Sequence, residues 1–70
     1  MTLEEANKVA EKRLPVRYHE VLYMCIDMIG YKYDGTRRYP FVRLRDWNGK
    51  SFTDAMPSMC EIGEGVANNE

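Results

Sequence analysis

Two glycine-containing dipeptides restrict the fold of this 70-residue chain more than any other feature. Asp34-Gly35 and Asn48-Gly49 each separate two runs of apolar residues. Such dipeptides are typical of β-hairpin turns, because glycine adopts positive φ without a steric penalty. The pattern therefore predicts three consecutive strands that pair as an antiparallel meander, over residues 21–33, 37–47 and 51–55.

The segment before these strands has a helical pattern. Thr2 and Glu5 have the spacing of a capping box, and apolar residues recur after them at intervals of three and four. Pro15 ends this pattern, because the residue before a proline avoids the helical conformation. We expect a helix over residues 2–13 and, after it, a short strand over 15–18.

Alternation along residues 37–47 divides that strand into two faces. Val42 and Leu44 lie on one side and are predicted core residues. The opposite side carries aromatic and arginine residues: Tyr39, Phe41, Arg43, Arg45 and Trp47. The strand over 21–33 offers a matching apolar face, made of Leu22, Met24, Ile26 and Met28.

Joining the two apolar faces sets the expected register. Even-numbered residues then pair with even-numbered ones, which requires a three-residue loop at 34–36 and places Arg43 opposite Asp27. Gly30 predicts a bend or bulge within the first of the two strands. We also expect Phe52 to point inward, because a small core rarely leaves a phenylalanine unused.

Length and composition indicate one small folded domain. The chain has 44% hydrophobic and 30% charged residues, as folded domains usually have. We expect the domain to cover residues 1–62 and a flexible tail to follow over 63–70. No apolar run is long enough to cross a membrane, and the charged N-terminus lacks a signal-peptide core, so we expect a cytoplasmic location. Cys25 and Cys60 fit no metal motif, so we expect two reduced thiols.

The sequence contains none of the motifs that usually mark an active site, such as a phosphate-binding glycine loop, a nucleophile elbow or a zinc-protease motif. His19 precedes Glu20, but both fall between two predicted strands, which favours a solvated turn over an acid–base pair. Asp27 lies in an apolar run, and an ion pair explains it more simply than catalysis does. We therefore predict a protein that is not an enzyme and needs no cofactor.

Charge is unevenly distributed along the chain, and its distribution points to a binding surface. Residues 31–50 contain six basic and two acidic side chains, whereas 51–70 contain four acids and no base. Five of the eight aromatic residues also fall within 31–50. The candidate binding residues combine these two properties and are Tyr31, Tyr39, Phe41, Arg43, Arg45 and Trp47.

Three interpretations of this surface stay open. Tyr, Trp and Arg dominate protein interfaces, which favours a protein partner. Arginines among aromatics also suit single-stranded nucleic acid, the alternative ligand, although an isoelectric point near 5.8 argues against a general DNA binder. The third interpretation is a solvated sheet face whose arginine stems cover the rings. The sequence leaves the identity of a partner and the oligomeric state open.

Over residues 15–62 the chain resembles small SH3-like or Sm-like barrel domains. The resemblance rests on the order of "PVRYHEV", a long bent strand, "DWNGKSFT" and "MPSMCEI", the last with a helical turn before a fifth strand. It implies a mainly β fold, a five-stranded antiparallel barrel with one N-terminal α-helix. The Pro-Val-x-Tyr opening and the Asp-x-Asn-Gly-x-Ser hairpin also resemble small open reading frames of bacterial mobile elements, which implies an accessory role there and no specific activity.

Overall fold

One helix precedes six strands in the computed structural model, which describes residues 1–63. The elements are α1 (Leu3–Lys12), β1 (Val16–Tyr18), β2 (Val21–Tyr23), β3 (Cys25–Asp34), β4 (Arg37–Arg45), β5 (Phe52–Ala55), a 3₁₀ turn (Pro57–Met59) and β6 (Cys60–Ile62). The prediction of a mainly β fold with one N-terminal helix is therefore confirmed. None of the helices within residues 1–63 is long and apolar enough to span a membrane.

The predicted capping box is present at the start of α1. The Thr2 hydroxyl accepts a hydrogen bond from the Glu5 backbone at 3.1 Å, and the Glu5 carboxylate accepts one from the Thr2 backbone at 2.9 Å. The helix ends at Arg13, which adopts the left-handed conformation with φ of 56°. Ala6 and Val9 are the buried residues of α1, and they anchor the helix on the sheets.

The strands form two antiparallel sheets of three strands each, in the orders β2-β1-β6 and β3-β4-β5. The sequence predicted a single long strand over 21–33, but the chain bends at Met24, which donates its backbone N–H to Arg45 at 2.9 Å. This bend divides the predicted strand into β2 and β3, so the fold has six strands instead of five, and β2 and β3 belong to different sheets. Within residues 1–63, the hydrogen-bonded ladders do not close into a barrel.

The first hairpin turn differs from the predicted three-residue loop. Asp34 pairs with Arg37, so only Gly35 and Thr36 form the loop. Gly35, with φ of 66°, occupies the first central position, which is where a type II′ turn places glycine. A two-residue turn of this type matches the right-handed twist of the flanking strands.

A two-residue turn with continuous pairing would have turned the apolar face of β3 at Ile26 away from the core. A β-bulge at Asp27 shifts the register by one residue, so Ile26 still faces the core. Ile26 pairs with Leu44, as expected, but one extra residue on β3 shifts the register before Met28. Beyond the bulge, Ile29 takes the inward position and packs against the core, whereas Met28 is 46% exposed. The predicted burial of Met28 is therefore wrong, and the irregularity assigned to Gly30 lies three residues earlier.

The core lies between α1 and the two sheets. Leu44, Val42 and Ile26 are buried as predicted, while Leu22 is only half-buried in the short strand β2. The buried cluster as a whole consists of Ala6, Val9, Val16, Ile26, Val42, Leu44, Ala55 and Cys60.

The second hairpin leaves Phe52 outside the core. Phe52 pairs with Arg45 and is 46% exposed, so the prediction that it points inward is wrong. The loop over 46–51 is closed by a hydrogen bond from the Asp46 backbone to Ser51, and the Asn48 side chain accepts from the backbone of two later loop residues. These loop contacts set a register in which Phe52 shares the outward side with Arg45.

The C-terminal boundary lies slightly later than predicted. Gly63 is buried and donates its backbone N–H to Pro15 at 2.9 Å, so it belongs to the folded domain and not to a tail. The rest of the predicted flexible tail, 64–70, lies outside the described residues.

Candidate functional site

The candidate site lies on the side of the β3-β4-β5 sheet that faces away from the core. We call this side the outer sheet face. Strand alternation and the observed register place there Met28 and Lys32 from β3, Tyr39, Phe41, Arg43 and Arg45 from β4, and Phe52 and Asp54 from β5.

Arg43 is held by a carboxylate on the neighbouring strand. Its Nε and Nη2 atoms donate to the two carboxylate oxygens of Asp54 at 2.8 and 3.2 Å, and Lys32 Nζ lies 3.0 Å from the same carboxylate. The hydrogen bond from Arg43 is the main reason that the pKa of Asp54 falls to about 2, and Lys32 lowers it further against the opposing effect of burial. The prediction that Arg43 lies opposite Asp27 is wrong, because the bulge places Met28 opposite Arg43.

Arg45 has a carboxylate partner of its own, and it is Asp27. Arg45 Nη2 donates to Asp27 Oδ1 at 2.7 Å and Nε donates to the same oxygen at 3.2 Å, which raises the pKa of the guanidinium. A third donor, Nη1, reaches the Gly49 carbonyl at 3.3 Å. The guanidinium also lies 5.0 Å from the centre of the Phe52 ring. Arg45 is thus fixed between the bulge, the second hairpin loop and an aromatic ring.

Phe41 is part of the support for this face and is not an exposed contact residue. Its side chain is only 9% exposed, and its ring occupies the space above Gly30, where an added Cβ would lie 2.9 Å from Phe41 Cε1. Lys32 Nζ and the Arg43 guanidinium lie 5.2 and 5.7 Å from the ring centre. Because Gly30 has no side chain, the Phe41 ring can pack over β3 at this position.

The other predicted site residues lie in three different environments. Tyr39 is 38% exposed on the outer sheet face, beside Phe41. Trp47 has left β4 and lies in the loop after it, where it is 54% exposed and donates Nε1–H to the Leu22 carbonyl at 3.0 Å. Tyr31 lies on the opposite face of the sheet, with the Arg38 guanidinium 4.6 Å from its ring centre.

The structure therefore brings together four of the six predicted residues, Tyr39, Phe41, Arg43 and Arg45. Sequence reasoning missed four members of the outer sheet face: Met28, Lys32, Phe52 and Asp54. The alternation of β5 would have identified Asp54 and Phe52 if the second turn had been taken as an even-length loop. Met28 carried no such signal, because its orientation depends on the bulge.

Two clefts that share Tyr39 and Met56 lie beside the outer sheet face, and they differ in volume. The cleft between Tyr18, Lys32, Tyr39, Phe41, Asp54, Ala55 and Met56 has a volume of about 140 Å³. Pockets that bind small molecules usually measure about 300–1,000 Å³. This cleft is thus too small to enclose an organic cofactor, whereas the second cleft, between Asp34, Arg37, Arg38, Tyr39 and Met56, measures about 440 Å³.

The remaining histidine and cysteine residues of the described chain lie apart from the outer sheet face. His19 and Glu20 are exposed in the β1–β2 turn with φ of 51° and 64°, which confirms the solvated turn. No group of three or more His, Cys, Asp or Glu within residues 1–63 is arranged to hold a metal ion. Cys25 and Cys60 are buried and not bonded to each other, and burial raises the pKa of the Cys60 thiol.

No family model, curated protein or solved structure matches this chain.

Proposed function

We propose that this protein is a non-enzymatic interaction module that binds a protein partner through its outer sheet face. The observation that carries the proposal is the pairing of both arginines on that face with carboxylates of the same chain: Arg43 with Asp54 and Arg45 with Asp27. An arginine already held by a carboxylate contributes little net positive charge for a phosphate. It does supply a rigid, flat surface for a partner.

The apolar residues around the ion pairs support the same function. Met28 lies opposite Arg43 and Phe52 lies opposite Arg45, and each apolar side chain is 46% exposed. Aromatic residues, methionine and arginine are enriched in protein interfaces, and a few well-packed anchors near the centre supply most of the binding energy. Because the ion pairs already restrict the two arginine side chains, these side chains lose less conformational entropy when a partner docks against them.

Single-stranded nucleic acid is the second candidate ligand, and a different part of the molecule favours it. Within residues 1–63, Arg37 and Arg38 have no carboxylate within 4.0 Å. They lie near Tyr31 and Tyr39 on the β3–β4 hairpin, where bases could stack on rings while guanidinium groups contact phosphates. A nucleic acid would therefore bind at the hairpin and not across the ion-paired part of the face.

The fold and biological setting belong to the same proposal. The bend at Met24 and the 3₁₀ turn before β6 support a partly open barrel of the SH3-like kind. We place the protein in the cytoplasm as an accessory protein of a mobile element, on the strength of its resemblance to such open reading frames. This setting predicts that the partner is encoded close to the gene or belongs to the host cell.

The test is affinity capture from cells that produce the protein, with three matched variants. Met28→Ser and Phe52→Ser each remove one half-exposed apolar side chain from the outer sheet face. Met59→Ser is the control, because Met59 is 54% exposed in the 3₁₀ turn and lies on no part of that face. We expect the partner to be lost with the first two variants and retained with the control. Equal capture by all three variants would contradict the proposal.

Titration with single-stranded DNA and RNA at two salt concentrations separates the second candidate from the first. Nucleic-acid binding should weaken steeply with salt, because each phosphate contact releases a counterion. It should also weaken when Arg37 and Arg38 are both replaced by alanine. Salt-sensitive binding that Met28→Ser leaves unchanged would favour nucleic acid over a protein partner.

A further inference from the structure

The tip of the β3–β4 hairpin extends beyond the sheet that supports its base. β5 pairs with β4 only over Val42–Arg45, so residues 31–39 form a two-stranded ribbon, which we call the hairpin arm. Every residue of the hairpin arm is exposed. A two-stranded ribbon by itself is only marginally stable in water, so the hairpin arm gains from further pairing.

The register shows which backbone groups of β3 face away from β4. The pair that flanks a two-residue turn, Asp34 and Arg37, is hydrogen-bonded, and bonded and non-bonded pairs alternate along an antiparallel ladder. Tyr33 and Tyr31 therefore direct their N–H and C=O groups to the outer edge of β3. Pro40, the partner of Tyr31, has no N–H and fits this non-bonded position.

The outer edge of β3 differs from the other open edges of residues 1–63 in its length and in its lack of proline. The open edge of β4 carries Pro40 directly after the hairpin arm, and proline has no N–H to donate to a further strand. β5 has four residues, and β2 and β6 have three each, which is too short to pair strongly. β3 has ten residues and no proline, and its bulge at Asp27 lies outside the hairpin arm.

The sequence of this edge is complementary to itself. When β3 is placed antiparallel to a second β3 about Tyr33, Lys32 lies directly opposite the partner's Asp34, and the reverse pair forms on the other side of the axis. In the single chain Lys32 Nζ lies 3.0 Å from Asp54 on β5, so the flexible lysine side chain must turn from that carboxylate towards the outer edge of β3 to meet the partner's Asp34. Tyr33, which is 72% exposed, then meets the partner's Tyr33.

We propose that two copies of this chain associate through the outer edges of β3, so that the two hairpin arms form one four-stranded sheet across a two-fold axis. The two-fold axis makes this a closed contact between identical surfaces, which produces a dimer and not a fibre. Of the residues named for the outer sheet face, the contact uses only Lys32, at its margin, so the dimer can be tested independently of the proposed function.

Backbone methylation tests the edge directly. Tyr33 and Arg38 form one non-bonded pair, so their N–H groups point to opposite edges of the hairpin arm. The full chain with N-methyl-Tyr33 can be assembled by chemical ligation at Cys25, and N-methyl-Arg38 is the matched control. Neither methyl group removes a hydrogen bond between β3 and β4. Circular dichroism and the unfolding midpoint verify that each variant is folded.

Sedimentation equilibrium from about 1 μM to about 1 mM, which spans weak to moderate association, measures the mass of each form. The unmodified chain should approach twice its mass of 8.2 kDa. N-methyl-Tyr33 should lower the association constant at least about tenfold, because each dimer loses two backbone hydrogen bonds. N-methyl-Arg38 should dimerise normally. A wild-type chain that stays monomeric, or equal effects of the two methyl groups, would overturn the proposal.

Charge substitution tests the register independently. Asp34→Lys places a lysine opposite the partner's Lys32 on both sides of the axis and should weaken association about tenfold. Asp34→Asn removes the attraction without adding repulsion, so its effect should be smaller. Association unchanged by Asp34→Lys would refute the register about Tyr33.

Discussion

Replacing Asp54 with asparagine tests the electrostatic account of the outer sheet face most directly. The carboxylate accepts two hydrogen bonds from Arg43 and lies 3.0 Å from Lys32, while its side chain is 24% exposed. Asp54→Asn keeps the size of the side chain and removes its charge. Both cations can then turn to water, so the variant should fold with moderately reduced stability.

The lowered pKa of Asp54 sets the size of this effect. A pKa that falls from its usual 3.8 to about 2 on folding corresponds to at most about 2.5 kcal/mol, at about 1.4 kcal/mol per pKa unit. Solvent screening of a partly exposed group reduces the contribution to about 1 kcal/mol. In a domain of this size, that lowers the melting temperature by about 5 °C.

The sign of the pH dependence follows from the direction of the shift. Because folding lowers the pKa of Asp54, its stabilisation is complete above pH 4 and is lost as the pH falls from about 4 to about 2. At neutral pH the wild-type protein should therefore be more stable than Asp54→Asn. Near pH 2 their free energies of unfolding should converge.

Urea unfolding followed by the fluorescence of the single tryptophan, Trp47, measures the difference at several pH values. Glu11→Gln is the control, because Glu11 is exposed on α1 and no cation within residues 1–63 lies within 4.0 Å of its carboxylate. We expect the control to match the wild-type protein within about 0.5 kcal/mol. A difference for Asp54→Asn that is absent at pH 7, or that persists undiminished at pH 2, would refute the reasoning.

Three further predictions concern the packing. Gly30→Ala should destabilise the fold by about 1–2 kcal/mol in urea unfolding, because the new methyl group displaces the Phe41 ring; unchanged stability would contradict this packing. Leu44→Ala should lower the free energy of unfolding by about 2–5 kcal/mol, because Leu44 is fully buried. Val21→Ala, at a residue that is 49% exposed, should lower it by less than about 1 kcal/mol. Similar losses for the two variants in thermal unfolding would argue against the assigned core. Burial raises the pKa of Cys60, so mass spectrometry should detect slow alkylation of this thiol in the folded protein and rapid alkylation in urea; equal rates would show that Cys60 is accessible.

Local chemistry was sufficient to predict the main elements of this fold from the sequence. The capping box at Thr2 and the turn at Asp34-Gly35 depend on residues only a few positions apart, so their patterns can be recognised without tertiary information. The burial of Val42 and Leu44 followed from strand alternation for the same reason. The sequence also located four of the residues that share the outer sheet face, because they alternate along the single strand β4.

Only the tertiary structure decided how the strands align and which charges meet. A bulge at Asp27 moves every later residue of β3 to the opposite face, so one extra residue exchanged Met28 for Ile29 in the core. The same shift gave Arg43 and Arg45 carboxylate partners that differ from the predicted pairing. Strand register is set by competing contacts between distant segments, including core packing, turn length and ring packing over Gly30. No local pattern encodes the outcome of that competition, so the charge balance of the outer sheet face could be read only from the folded chain.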